Sequence, residues 1–296
     1  MTSFAEYSAV GNRECLLDIL TNISPSANPM IDRFGKVSVD GVLVQWQTDS
    51  LRAPADNKQL HNATYASMIG TVTPTVLETN STQILGDGYE VDETQEVVSK
   101  AGRPSEIALQ KAKCLKEIAG DIEYSVLNHT AAVVAAVATE GEMKGIKGYI
   151  TTEKVNNTGA ALTETILENL MQGVCDNGGT EMSTIYTGAR QKKVINNFGG
   201  TSRSMAQDAE SYKKMVGVYE NDFGTVQVVL DRHVGVGAGT ADLFVLTDSM
   251  WQLGVLQPMV SVACPKVALS DSFVIKGQLT LISKQEKASG WLYNLL

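Results

Sequence analysis

The sequence predicts a mixed α+β fold in which one long helix and several extended segments share a core. The helix is predicted over residues 103–128, where apolar side chains recur every three or four positions. Strands are predicted at residues 36–48 and 272–283, where apolar and polar residues alternate. With 296 residues, of which 43% are hydrophobic, the chain can form one large domain or two linked ones.

Composition excludes several classes of protein. The net charge of −9 argues against a surface that grips nucleic acid through its phosphates. The four cysteines form no CxxC pair and suggest neither a zinc site nor a disulfide framework, so a reducing compartment is expected; they are Cys15, Cys114, Cys175 and Cys264. The N-terminus lacks a basic region followed by an apolar core, and the longest apolar run, residues 131–138, is too short to span a bilayer.

The first residues are predicted to form an arm. Residues 12–21 can form a short helix with Leu16, Leu17 and Leu20 on one side, after which Pro25 and Pro29 favour an extended path. This segment has too few apolar residues for a core of its own. It must therefore lie on the rest of the subunit or on a neighbour.

The next part of the chain is predicted to be a long extended ribbon. Residues 36–48 alternate around a possible turn at Asp40 and Gly41, and residues 49–98 are polar and β-branched with no helical period. Two stretches, 71–77 and 81–85, are predicted to be further extended chain. Because a two-stranded ribbon is only marginally stable in water, contacts with other parts or other subunits must support it. Near its end is a run of acids typical of a solvated face, namely Asp87, Glu90, Asp92, Glu93 and Glu96.

The long helix is predicted to start after Gly102, with Pro104 at the first helical position and Glu106 favouring the positive end of the helix. Its apolar stripe consists of Ile107, Leu115, Ile118, Ile122 and Val126, supported by Ala108, Ala112 and Ala119. The opposite face is expected to meet solvent or another chain and carries Lys113, Lys116, Glu117 and Glu123.

After the helix the sequence predicts a small buried segment at residues 131–139 and then an α/β subdomain. A helix with Leu162, Ile166, Leu170 and Val174 stops at residues 176–179. A strand at residues 182–187 and a helix containing Val194, Ile195 and Phe198, ended by Gly199 and Gly200, follow. Residues 216–220 and 225–231 flank a hairpin turn, and residues 242–246 form another strand.

No motif predicts catalysis. The glycine-rich segment from Gly235 to Gly239 lacks both GxGxxG spacing and a GK[ST] ending. This pattern favours a surface loop over nucleotide binding. There is no GxSxG or HExxH, and the histidines lack ligand spacing and are expected to face solvent; they are His61, His129 and His233.

Carboxylates and lysines add no catalytic group. Asp121 and Glu123 are two apart on a helix, so they point to different faces. Lysines on a polar face need no role as nucleophiles or crosslinkers; those considered are Lys100, Lys111 and Lys113. The sequence therefore nominates no catalytic, cofactor-binding or metal-binding residue and no cofactor.

Several short stretches of sequence resemble those of one protein family and occur in the same order as in that family over nearly the whole chain. They are RECLLDILTNISP at residues 13–25, WQTDSL at 46–51, NSTQI at 80–84, EIAGDIE at 117–123, VYENDFG at 218–224, and GQLTL to EKASG at 277–290. These stretches of sequence resemble the major capsid proteins of tailed bacteriophages with the Hong Kong 97 type fold. The order of the predicted elements, namely arm, ribbon, long helix, α/β subdomain and terminal strand, resembles that family too.

The resemblance implies a shell-forming subunit with four parts. They are an N-terminal arm at residues 1–35, an extended β-ribbon loop at 36–100, a peripheral domain with a long spine helix at 101–150 and 265–296, and an axial α/β domain at 151–264. Nothing ahead of Asn12 resembles a cleavable scaffold domain, so a separate scaffolding protein, or none, is expected. No lysine and asparagine can be nominated for covalent crosslinking.

The resemblance also implies partners. Copies of the chain would form the hexamers and pentamers of an icosahedral virion head, assembled in the host cytoplasm, with a portal protein and possible scaffold and decoration proteins. The head would enclose double-stranded DNA without sequence-specific binding, and no membrane would be involved. Two alternatives stay open: an encapsulin-like cellular nanocompartment with the same fold, and an α/β enzyme that uses residues 235–239.

Overall fold

The structure is a computed structural model that describes residues 28–70, 72–99, 102, 104–179, 181–198, 217–235, 241–266 and 268–296. The predicted helix at residues 12–21 and most of the predicted arm lie outside these residues. The described residues contain seven helices, α1 Pro29–Arg33, α2 Tyr65–Met68, α3 Glu93–Val97, α4 Glu106–Asn128, α5 Ile146–Tyr149, α6 Glu164–Asp176 and α7 Ala189–Ile195.

Twelve strands in the described residues form three sheets. A four-stranded sheet has the order β1-β10-β11-β4, with β1 Gly35–Ser38, β4 Gln83–Asp92, β10 Trp251–Ala263 and β11 Ser270–Ser283. A two-stranded sheet pairs β2 Leu43–Thr48 with β3 Val76–Ser81. A six-stranded sheet has the order β5-β12-β9-β6-β8-β7, with β5 Lys154–Asn156, β6 Thr184–Thr187, β7 Val218–Asn221, β8 Gly224–Leu230, β9 Ala241–Leu246 and β12 Gly290–Leu295.

Helix α4 is the predicted long helix, and its start differs from the prediction. Ser105 is the N-cap, and its hydroxyl accepts a hydrogen bond from the Ala108 N–H at 3.2 Å. Pro104 therefore precedes the cap instead of opening the helix. The buried stripe contains Cys114, Ile118 and Ile122, which are four residues apart, while Leu115 is exposed. The expectation for Leu115 was wrong because one residue rotates a side chain about 100° around the helix axis.

Two hydrophobic cores lie on opposite faces of the six-stranded sheet. In β9, Leu243 and Val245 pack with α6 side chains, whereas Phe244 and Leu246 belong to the core that contains α4. Successive strand residues point to opposite faces, so a strand between two cores is apolar at nearly every position. Helix α6 therefore packs on one face of this sheet and the core that contains α4 lies on the other.

Several predicted elements are present. The helix that bears Leu170 and Val174 is α6, and β11 is a partly buried antiparallel strand that pairs with β10 and β4. Strands β7 and β8 form the predicted hairpin, with Gly224 at a positive φ of 127°. The long ribbon segment also contains two single-turn helices, α2 and α3, which are too short to show a period in the sequence.

Two strands near the C-terminus were not predicted. Strand β10 pairs with β11 in the four-stranded sheet, and β12 pairs with β5 and β9 in the six-stranded sheet. The sequence of β10 contains Pro258, which cannot donate a ladder hydrogen bond. The register shifts between Val255 and Gln257 and again between Gln257 and Val260, and these irregularities accommodate the proline.

Candidate assembly surfaces

Strands β2 and β3 form a ribbon that stands apart from the two larger sheets. They pair only with each other, from Leu43 opposite Ser81 to Thr48 opposite Val76. Residues 49–75 connect the far ends of the two strands. The part of the predicted ribbon that leaves the four-stranded sheet is thus two strands and one long loop, while β4 stays paired in that sheet.

The long loop presents apolar side chains to solvent. Leu51 is 96% exposed, Tyr65 is 89% exposed and Val72 is 85% exposed. Other exposed apolar side chains of the ribbon and loop are Val42, Leu43, Leu60, Met68, Ile69, Val76 and Leu77. A concentration of exposed apolar side chains in one loop is typical of a site that another molecule covers.

The base of the ribbon is fixed by a buried asparagine, Asn80. Its Nδ2 donates to the carbonyl oxygens of Leu281 at 2.6 Å and Lys144 at 3.1 Å. Its Oδ1 accepts hydrogen bonds from the Lys144 N–H at 2.8 Å and the Ser81 N–H at 2.9 Å. Asn80 lies in one of the family-like sequence stretches, but its anchoring role could not be read from the sequence.

A row of aromatic rings continues from the ribbon into the core. Trp46 of β2 donates its Nε1–H to the Ser283 carbonyl oxygen at 2.8 Å, and its ring centroid lies 6.2 Å from that of Tyr149. The Tyr149 ring lies 6.0 Å from Trp251, which lies 6.4 Å from Phe34. These contacts connect the ribbon with the segment just after α1, so both elements share one rigid support.

Helix α1 is held on α4 by Glu123, which was predicted to face solvent or another chain and is instead fully buried within the subunit. Its two carboxylate oxygens accept hydrogen bonds from the N–H groups of Met30 at 2.8 Å and Ile31 at 3.0 Å. Burial raises the pKa of Glu123 to about 7, the charge of Asp231 raises it further, and the two N–H donors act against the rise. The prediction failed because the partners lie more than ninety residues away in the chain.

Asp231 is a second buried carboxyl close to Glu123. Burial raises the pKa of Asp231, and the N–H and the charge of His233 act against this rise. Asp231 Oδ1 accepts a hydrogen bond from the His233 N–H at 2.8 Å, while Oδ2 has no hydrogen-bond partner among the described residues. Asp121 is exposed while Glu123 is buried, so the two carboxylates point to different faces of α4, as predicted.

Residues 131–142 form a small exposed hairpin that we call the valine hairpin. Backbone hydrogen bonds join Val133 to Glu142 and Ala136 to Thr139, which leaves Val137 and Ala138 as a two-residue turn. Val134 and Val137 are exposed, so the prediction of a small buried segment at residues 131–139 was wrong. Small apolar residues suggest burial in sequence, but here the hairpin projects from the surface.

The base of the valine hairpin lies beside the base of the ribbon. The Met143 N–H donates to the Gln83 side-chain oxygen at 3.3 Å. A Cβ added at Gly141 would lie 3.2 Å from the Thr82 carbonyl oxygen. His129 Nδ1 lies 3.3 Å from a Glu142 carboxylate oxygen, so the expectation of a solvent-facing His129 was wrong.

The acidic run near the end of the ribbon makes specific contacts beyond those of a solvated face. Asp92 accepts a hydrogen bond from the Thr94 N–H and caps α3. A Glu96 carboxylate oxygen accepts hydrogen bonds from Glu106 N–H at 2.8 Å and Ile107 N–H at 3.4 Å, at the start of α4. Lys266 forms ion pairs with Glu93 and with Asp271. The run thus positions the helix start against the β10–β11 turn.

The residues considered for chemistry that the structure describes lie in separate parts of the fold. His61 is exposed in the ribbon loop, His233 is half-buried, and Lys111 and Lys113 are exposed on α4. Gly235 has a positive φ of 76°, whereas residues 236–239 lie outside the described part of the chain. An open depression of about 500 Å³ lies elsewhere, lined by Glu181, Met182, Ser183, Val218, Thr225, Gln227, Thr247, Asp248 and Ser249.

Within the described ranges, no group of three or more His, Cys, Asp or Glu side chains could hold a metal ion. A search of the same residues finds no helix with the length and apolar character needed to span a membrane.

Comparison with known proteins adds sequence relatives. The profile of the SU10 major capsid protein family matches residues 3–296. The major capsid protein of Escherichia phage Phieco32 is 28% identical over 214 residues, which is 70% of this chain and 60% of that protein. The matched part of the chain therefore spans less than two thirds of the length of that relative.

Solved structures share the fold at low sequence identity. A native GTA particle capsid aligns with a TM-score of 0.68 at 10% identity and 98% coverage of both chains. The structure from Mycobacterium phage Bobi gives 0.66 at 10% identity, again with 98% coverage of both chains. The SrpI encapsulin of Synechococcus elongatus PCC 7942 gives 0.61 at 10% identity, covering 96% of this chain and 92% of that chain. These similarities confirm the predicted Hong Kong 97 type α+β fold.

Proposed function

The chain belongs to the SU10 major capsid protein family, and from this premise we propose that its copies assemble into the hexamers and pentamers of an icosahedral phage head. The observation that carries the proposal is the ribbon, because its long loop exposes Leu51, Tyr65 and Val72 and no described residue of the subunit covers them. Exposure of these apolar side chains to water is unfavourable for a single copy, whereas contacts between copies in a shell would bury them.

Ring formation is the geometry that such a loop supports. A loop that reaches from one subunit to a different surface of the next makes a heterologous contact, and such contacts close into rings when the rotation allows it. The buried Asn80 and the partly buried Trp46 anchor the ribbon to the body of the subunit. The direction in which the loop reaches would then be the same in every copy.

The proposed domains follow the sheets. We assign the arm to residues 1–35, the extended loop to the β2–β3 ribbon, and the axial domain to the six-stranded sheet with α6 and α7. The peripheral domain is then α4 with the four-stranded sheet. Compared with the expected limits, this assignment moves β1, β4 and β10 into the peripheral domain and β12 into the axial domain, since strands share the unit of the sheet in which they pair.

The proposed role is structural, without catalysis or a cofactor, and the site is the virion head. The shell would be assembled in the host cytoplasm, would enclose double-stranded DNA without sequence-specific binding and would meet a portal protein, with scaffold and decoration proteins as further possible partners. The net charge of −9 suits this content, because a basic lining would hold the genome tightly. A strongly basic inner surface of the assembled shell would contradict this point.

An encapsulin-like nanocompartment is the alternative with support from the fold, since the SrpI encapsulin shares it. The family match favours the phage head. A cargo enzyme inside purified particles that lack a portal vertex would favour the nanocompartment. The enzyme alternative at residues 235–239 predicts a compact monomer or dimer with a concave pocket around that loop.

Electron microscopy of the expressed protein tests the proposal. Shells, tubes or separate capsomers are expected, and size-exclusion chromatography should place the protein far above the mass of one 31.8 kDa chain. Small discrete particles under all conditions, including co-expression with a scaffolding protein, would contradict it.

A further inference from the structure

We propose that the valine hairpin of one subunit is the docking site for the ribbon of a neighbouring copy, with residues 59–77, the second half of the loop and the start of β3, as the occupant. This inference rests on the proposed function and names the surface that receives the loop. Four observations carry it: the hairpin is exposed and well braced, its own loop does not cover it, neither the loop segment nor the tip of the hairpin carries a charged side chain, and several other exposed apolar sites lie beside charges.

The valine hairpin is a braced apolar projection. Four backbone hydrogen bonds of 2.9–3.1 Å close it at Val133–Glu142 and Ala136–Thr139. At its base, Gly145 N–H donates to the His129 carbonyl oxygen at 3.0 Å. Val137 is fully exposed at the tip, although the backbone that carries it is held in place. A pre-ordered apolar surface costs little conformational entropy when a partner binds.

The ribbon loop of the same subunit leaves at the other end of the ribbon. The hairpin packs beside Thr82, next to the Leu43–Ser81 pair, whereas the loop starts after the Thr48–Val76 pair. Five residue steps of ~3.4 Å put these two ends roughly 17 Å apart. No described residue of the same subunit covers Val137, and the ribbon loop points away from it, so we assign the loop that meets it to another copy.

The two surfaces match chemically. Residues 59–77 contain no Asp, Glu, Lys or Arg, and neither do residues 124–139, which include the whole tip of the hairpin. Copies with a net charge of −9 repel one another, so contacts between them are favoured where both surfaces are uncharged. The loop side chains Tyr65 and Ile69 are large, and the hairpin side chains are small. Large groups against small ones allow close packing.

Several of the other exposed apolar side chains in the described ranges lie beside charges. Val37 follows Lys36, Val155 follows Lys154, and Leu230 precedes Asp231. Leu115 lies between Lys113 and Lys116, Val260 pairs across the sheet with Lys276, and Leu269 is near Asp271. Burial of these sites under an uncharged loop would desolvate the neighbouring charges. The valine hairpin carries no such cost at its tip.

Cysteine crosslinking tests the contact in assembled particles. In a background where Cys15, Cys175 and Cys264 are serine, we would combine Val137→Cys with Ile69→Cys and oxidise the purified shells. Cys114 stays because it is buried. A head-to-tail contact predicts a ladder of covalently joined oligomers beyond the dimer on a non-reducing gel. The matched control pairs Ile69→Cys with Leu269→Cys, since Leu269 and Ile69 are equally exposed.

Three outcomes would overturn the inference. Dimers from Val137→Cys alone would show that two hairpins contact each other. A ladder from the Leu269 control would show that the loop binds near Leu269 instead. Shells that form without any ladder would show that the loop and the hairpin are not in contact. Shells that form in the last case leave the proposed function intact, whereas no shells from the natural sequence would refute the proposed function itself.

A second variant addresses the case in which the cysteine variants do not assemble. Val137→Asp places a charge at a fully exposed position, so we expect an unchanged unfolding midpoint of the unassembled subunit. Shell yield should fall roughly tenfold or more, because each contact would then bury an unpaired carboxylate. Val137→Ser, which adds no charge, should assemble far better than Val137→Asp. Equal shell yields from the two variants would contradict the inference.

Discussion

Glu123 and Asn80 show what single buried polar side chains do in this subunit. Each satisfies backbone groups from a distant part of the chain, Glu123 for α1 and Asn80 for the turn before α5 and for β11. Burying a polar group is costly unless it is hydrogen-bonded. Both residues therefore fix the relative position of two segments that are far apart in the chain, which apolar packing alone would not do.

Glu123 predicts a specific dependence of stability on pH. The carboxyl titrates near its ordinary value of 4.5 when unfolded and near a pKa of about 7 when folded, so the folded protein holds the proton more tightly. Its contribution to the free energy of unfolding should fall as pH rises from about 4.5 to about 7 and be level above that. At 1.36 kcal/mol per pKa unit, the difference amounts to roughly 3 kcal/mol.

Glu123→Gln should flatten this decline, because an amide does not titrate in that range. The measurement is urea unfolding of the unassembled subunit at several pH values. Asp231 also has a raised pKa and would keep part of the decline. Glu117→Gln, an exposed change on the same helix, should leave the profile as it is. An unaltered profile for Glu123→Gln would refute this account of Glu123.

Asn80→Ala should lower the free energy of unfolding by about 2–4 kcal/mol, because it leaves buried backbone groups of Lys144 and Leu281 without partners. Urea unfolding measures the loss. Asn57→Ala in the exposed loop is the matched control and should stay within about 0.5 kcal/mol of the natural protein. If the two variants were equally stable, the role given to Asn80 would be wrong.

At the scale of elements, the two ends of α4 are fixed in different ways. Ser105 and Glu96 accept hydrogen bonds from first-turn N–H groups at the start of the helix. At the end, α5 packs closely against the last turn, with Gly145 at the point of contact. The helix thus has a polar cap where it faces the β10–β11 turn and a close backbone contact where it meets the core.

Ser105→Ala should destabilise the subunit by about 1 kcal/mol, because the Ala108 N–H loses its side-chain acceptor. Thermal or urea unfolding followed by far-UV circular dichroism measures this change. The exposed Ser50 provides a control, and Ser50→Ala should have little effect. A Ser105→Ala variant as stable as the control would show that Glu96 alone caps the helix.

Gly145→Ala tests the close contact at the other end of α4. The added Cβ would lie 2.5 Å from the Val126 carbonyl oxygen and 2.8 Å from the Ser125 carbonyl oxygen, both backbone atoms. We expect a loss of roughly 2 kcal/mol or more in the free energy of unfolding. Gly70→Ala has no atom within 4 Å of its Cβ and should be close to neutral. Similar losses for both variants would mean that backbone freedom, not crowding, sets the cost.

At the scale of the whole molecule, the subunit separates a well-packed body from a ribbon loop that buries little. The body contains two cores on either side of the six-stranded sheet. The loop at residues 49–75 is exposed along nearly its whole length. Folding and assembly should therefore depend on different residues.

Replacing residues 49–75 with Asn-Gly should test that separation. A two-residue turn of this type can join β2 and β3 while keeping their register. The subunit should keep its circular dichroism spectrum and its unfolding midpoint, because the loop adds little to either core. Electron microscopy should show no shells. A variant that forms shells as well as the full chain would show that the loop is dispensable for assembly.

The sequence by itself determined the elements whose signals are local. The spacing of Ile118 and Ile122 predicted α4, alternation predicted β11, and the turn before Gly224 predicted the β7–β8 hairpin. The stretches of sequence that resemble the capsid protein family then predicted the capsid fold, because they occur in the same order as in that family. Asn80 lies in one of those stretches, yet its role depends on hydrogen-bond partners far along the chain, which no local pattern predicts.

Only the tertiary structure decided which of these elements pair and which side chains are buried. Glu123 lies on a face that sequence marks as polar, and α1 covers it with two N–H donors. Val134 and Val137 are apolar, and no part of the described chain covers them. The physical reason is the same in both cases. Helical and strand periods report which residues share a face, whereas burial of that face depends on contacts between segments far apart in the chain.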